Sequence, residues 1–114
     1  MNRPLSDLLG REVSILPSEL VEYPILAVIR LFEDNSNKLF VELLKAVNLN
    51  AHTYTFAVLE PRLERDELSG LLRGNALLCA VTLVPEDRHD PASPFNLSWW
   101  RGGAATIADV ILCS

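Results

Sequence analysis

A chain of 114 residues is near the commonest domain size and long enough to build one hydrophobic core without disulfide staples, so residues 1–114 read as a single compact domain. Apolar residues make up 49% and charged residues 22%, which excludes wholesale disorder, and a net charge of -5 with a pI near 4.9 sets the average field against nucleic-acid phosphates and anionic lipid. A mean hydropathy of +0.19 is high for so small a protein and predicts apolar surface that a second copy or a protein partner covers.

In chain order, residues 1–23 read as a short N-terminal helix and a connection. Leu5 to Leu9 form a helical turn that Ser6 caps and Gly10 ends in the left-handed conformation glycine tolerates. A short strand at Glu12 to Leu16 and a proline-bearing link from Pro17 to Tyr23 follow. The first ten residues, MNRPLSDLLG, lack the apolar core of a signal peptide, and the apolar runs fall far short of the ~20 residues a membrane span needs. A soluble, cytoplasmic protein with no membrane contact is the expectation.

Pro24 to Phe32, Thr53 to Leu59 and Ala76 to Val84 are strand-like runs with apolar residues at both odd and even positions. A strand that is apolar on both faces asks for cover on both sides, the pattern of a sheet buried between helices. Between these runs, Leu39, Phe40, Leu43, Leu44 and Val47 fall on one helical face, with Lys38, Glu42 and Lys45 at ion-pair spacing on the other. Leu63, Leu68, Leu71 and Leu72 give a second helix that ends at Gly74 and is weakened by Gly70. The resulting β-α-β-α-β order predicts an α/β domain with a three- to four-stranded, mostly parallel sheet flanked by helices. Ala104 to Leu112 reads as a last helix or an edge strand.

The rival fold takes Lys38 to Val47 as a strand and Asp34-Asn35-Ser36-Asn37 as a hairpin turn, giving a small all-β barrel of five strands behind an N-terminal helix. Arg73-Gly74-Asn75 would then precede the last strand in the manner of Sm-like RNA-binding barrels, a likeness carried by three residues. That barrel would bind RNA through a basic ring, against which the acidic composition argues.

Residues 86–103 read as an exposed loop. It holds the most suggestive interaction residues, Phe95, Trp99, Trp100 and Arg101, because tryptophan and arginine dominate binding hot spots. The plainer reading has one tryptophan plugging an open end of the sheet. Gly102-Gly103 with Arg101 is too common a pattern to mark a phosphate site, and no phosphate-loop lysine follows.

Other chemistry is thinner. Cys79 with His52 or His89 meets the residue types of a nucleophile and base, yet a cysteine within an apolar strand is usually a small buried hydrophobe. Glu86, Asp87, His89 and Asp90 are acid-rich but adjacent, and adjacent loop residues rarely converge on a metal. No metal or cofactor is expected. In a parallel sheet the C-terminal strand ends would gather Glu33, Asp34, Glu60 and Glu86 into an acidic cleft, the basis for an alternative reading as a small enzyme or metal-dependent site. Cys79 and Cys113 have no redox-motif spacing, which suits a reducing compartment. The most economical function is a protein-interaction or regulatory module that self-associates.

Overall fold

The three two-faced apolar runs are strands, but the sheet they build is antiparallel. In the computed structural model, which describes residues 5–17, 22–33, 37–49, 51–62, 68–85 and 104–113, a 3-10 helix at Leu5–Leu8 precedes β1 (Glu12–Pro17), β2 (Ile25–Glu33), β3 (Lys38–Leu49) and β4 (His52–Pro61). A one-turn helix α1 (Ser69–Leu72), β5 (Leu77–Pro85) and β6 (Ala104–Leu112) complete the order. Each strand pairs with its neighbours in sequence, and β6 returns to β1, closing a six-stranded barrel. Closure leaves no unpaired strand edge.

This overturns the expected α/β domain with a parallel sheet. The segment Lys38 to Val47, expected as a helix, is most of β3, with Leu39, Val41, Leu43 and Val47 turned into the barrel. Strict strand alternation would leave Lys45 on the same face as those residues. A register shift against β4, between Glu42 and Val47, removes the conflict: it breaks the strict alternation so that both Leu44 and Lys45 are exposed. The ion pairs that a helix would make along itself are made across strands instead. Arg30 reaches Glu42 at 2.9 Å, and Lys38 Nζ lies 3.8 Å from Glu60. The second expected helix is described only from Leu68 and is a single turn. The final run is β6, paired on both sides rather than at an edge. The rival barrel was nearer, but Arg73-Gly74-Asn75 precedes β5 and a sixth strand follows.

Every second side chain fills the interior. Ile15, Ile29, Val41, Leu59, Leu83 and Val110 show no exposure at all. Their burial is the main stabilising term, about 1.5–3 kcal/mol for each such side chain. One end, here the lower, gathers the 3-10 helix, the β2–β3 connection and α1. Leu8 of the 3-10 helix, Leu68 just before α1 and Leu71 within it are 0–1% exposed and close that end of the core. Gly10 (φ +80) turns the chain from the 3-10 helix into β1, and its N–H donates to Ile29 O at 2.8 Å. The upper end carries the β1–β2, β3–β4 and β5–β6 connections.

A second, smaller cluster lies on the outer wall. Phe40, Val58 and Val84 project outward from β3, β4 and β5 yet are only 0–3% exposed, and Phe56 packs against them. Elsewhere the outer wall carries exposed apolar side chains beside charged ones. Leu26 and Leu31 of β2 are 44% and 40% exposed, so the two-faced apolarity of that run does not mean two covered faces.

Candidate functional site

The antiparallel meander decides where the sequence-derived candidates sit. Neighbouring strands run in opposite directions, so the C-terminal strand ends are divided between the two rims. Glu33 ends β2 at the lower end, opposite Lys38. Glu60 sits near the end of β4 at the same end, exposed, with its carboxylate beside Lys38 Nζ. A cation thus stands between the strand positions of these two acids. Asp34 and Glu86 lie outside the described residues. The strand before Glu86 ends at Pro85, opposite Tyr54, at the upper end.

Cys79 faces the barrel interior at 2% exposure, opposite Pro61 on β4. His52 is exposed at the other end of that strand, its ring 6.4 Å from that of Tyr54. The ten residues from His52 to Pro61 span about 30 Å of strand, so Cys79 and His52 cannot act as a pair. His89 lies outside the described residues, as do Phe95, Trp99, Trp100 and Arg101. Among the described residues, no three His, Cys, Asp or Glu side chains gather in a metal-like group, and no helix is long and apolar enough to cross a membrane.

What the barrel does present is an uncovered apolar wall on β2, β1, β6 and β5. Ladder register aligns its outward side chains in rows. Leu26, Ser14 and Ile111 form one row; the small Ser14 is 9% exposed between flanking side chains that are 44% and 37% exposed. The next row is Leu16, Asp109, Leu78 and Arg62, where Leu78 pairs with Asp109 on one side and its carbonyl accepts the Arg62 N–H at 2.8 Å on the other. Ile107 and Ala80 follow. These last two rows line a groove of about 510 Å³ whose walls are Leu16, Leu78, Ile107 and Arg62. Its floor includes the small side chains of Ala80 and Ala105, which leave room between the larger walls.

Neither Arg62 nor Asp109 is ion-paired among the described residues, so the groove carries one charge of each sign on an apolar background. A smaller hollow of about 270 Å³ lies around Tyr23, Leu26, Leu44 and Lys45, where the β3 irregularity lifts Leu44 and Lys45 outward.

None of the groove residues stood out in the sequence. Leu78 reads as a covered strand position, Ile107 as part of a last helix or edge strand, and Leu16 as the end of an uncertain one. The signal that pointed to them was collective: a mean hydropathy too high for a small domain to hide inside itself.

Architecture and surface together define a six-stranded up-and-down β-barrel with a partly uncovered apolar wall. Compared with protein-family models, curated protein sequences and solved structures, the chain finds no match in any of the three.

Proposed function

We propose that this protein is a non-enzymatic interaction module that self-associates through the outer wall of β1, β6 and β5. The observation that carries this reading is the side-by-side exposure of Leu16, Leu26, Leu78, Ile107 and Ile111, each 36–47% exposed, on four consecutive strands. Scattered single exposures need no explanation, whereas a contiguous apolar patch marks an interaction site. Phe95, Trp99, Trp100 and Arg101 join the reading on residue type, as hot-spot formers. The proposal sets the module in the cytoplasm, because neither Cys79 nor Cys113 is in a disulfide.

The test is the solution mass by light scattering over a concentration series in reducing buffer. Wild type is compared with Leu16→Glu/Ile107→Glu and with Trp99→Ala/Trp100→Ala. An oligomer dissociated by the glutamate pair supports the barrel-wall interface. An oligomer split only by the tryptophan changes moves the interface to residues 86–103. A wild type that stays monomeric at its highest soluble concentration removes self-association.

A further inference from the structure

The groove holds a feature that selects its occupant. Arg62 and Asp109 flank Leu78 symmetrically, one ladder step away on either side, and all three face outward. With strands about 4.8 Å apart, the two charged residues stand about 10 Å from each other, with an apolar side chain between them.

We infer that the occupant is a second copy of this chain, packed about a two-fold axis that lies in the interface and runs along β5 over Leu78 and Ala80. The inference rests on the docking reading above and names its partner. Such an axis exchanges the two flanks of β5. Arg62 of one copy then faces Asp109 of the other, and the same pair forms again on the far side of the axis. Leu78 meets its own counterpart, and Ala80, also on the axis, is small enough to let the two walls approach. Ile107 comes over Glu60, whose carboxylate is already beside Lys38 at 3.8 Å.

An isologous interface needs this kind of self-complementarity: a residue i that contacts j must find j contacting i. A wall with one cation and one anion placed evenly about a central apolar residue meets it. An unrelated partner would have to supply an acid and a base at the same spacing. The overall charge of -5 opposes self-association at long range, so the contact should tighten as salt screens that repulsion while the groove pairs are shielded from it.

The test uses charge reversal and rescue on the full chain, read by light scattering and by sedimentation. Arg62→Asp alone and Asp109→Arg alone place like charges opposite each other twice per dimer, and each weakens dimerisation by about tenfold or more. An equimolar mixture of the two variants restores opposite charges at both contacts and recovers the dimer mass. The double variant Arg62→Asp/Asp109→Arg, which also restores them, dimerises by itself and guards against a single variant that fails to fold. A wild-type dimer that neither single reversal weakens, or that neither the mixture nor the double variant restores, overturns the two-fold pairing and leaves the docking reading standing. A monomeric wild type overturns both.

Discussion

The rings of Phe40 and Phe56 stack 5.3 Å apart with 16° between their planes, on the outside of the barrel rather than within it. They lie on neighbouring strands, and Phe40 is 3% exposed. A residue on an outer wall is thus as buried as the interior, and its truncation should cost what an interior truncation costs. Phe40→Ala is expected to lower the unfolding free energy by about 3 kcal/mol, whereas Leu44→Ala, exposed on the same strand, should stay within about 0.5 kcal/mol. Urea unfolding followed by tryptophan fluorescence checks both. Equal effects would mean that the outer cluster is not a packed unit.

Ala51 sits in the β3–β4 turn at φ +66, a left-handed conformation that costs an L-residue with a side chain roughly 1 kcal/mol. The strands on either side are in register at Leu49 and His52, so the turn is a two-residue hairpin link in which glycine is the favoured occupant. Ala51→Gly should therefore stabilise the barrel by up to about 0.6 kcal/mol, after the entropy that glycine returns to the unfolded chain is deducted. A higher urea midpoint with an unchanged slope is the expected result.

Asn37 joins two lower-end elements. Its backbone is left-handed at φ +54, and its side-chain Oδ1 accepts the Leu68 N–H at 3.3 Å. The two roles separate by substitution. Asn37→Gly keeps the backbone conformation and loses the hydrogen bond, costing about 1 kcal/mol, whereas Asn37→Ala loses both and costs about 2 kcal/mol. If both variants fall by the same amount in thermal or urea unfolding, backbone conformation plays no part.

Thr55 Oγ1 is buried without a hydrogen-bond partner, beside the register irregularity between Tyr54 and Phe56. An unsatisfied buried hydroxyl is a desolvation cost with nothing to offset it. Thr55→Val preserves shape and β-preference, and should raise the unfolding free energy by about 1 kcal/mol. Thr55→Ser, which retains the hydroxyl and removes a methyl, should lower it.

Strand-forming composition was legible; topology was not. Ile25 to Phe32 and Leu77 to Val84 are strands because β-branched and apolar residues crowd them, and Gly10 ends the first turn as its backbone freedom suggests. At Lys38 to Val47 the pattern misleads, because one strand irregularity shifts Lys45 to the surface and leaves an apolar spacing that mimics a helical face. Nor do two apolar faces require two helix layers. On β4 and β5 the second face feeds the cluster around Phe40, and on β2 Leu26 simply meets solvent. The acidic cleft requires parallel strands; Glu33 and Glu60 share an end of the barrel for a different reason, the two-strand period of a meander. The groove was invisible in any one residue, because it arises only where β1 and β6, some hundred positions apart, are brought side by side.

That closure also sets the order of assembly. All ladders but one join strands adjacent in sequence, whereas the seam joins Val13 to Leu112, so it carries by far the largest loop-closure entropy and should zip last. Until it does, the chain is an open five-ladder ribbon with two bare edges, each free to accept a strand from another molecule. Heating or crowding that opens the seam would therefore favour exchange of β1 or β6 between copies. The same wall that bears the exposed leucines and isoleucines would then double as the route to domain-swapped species, and anything docked across it would act as a clasp on the barrel's slowest joint.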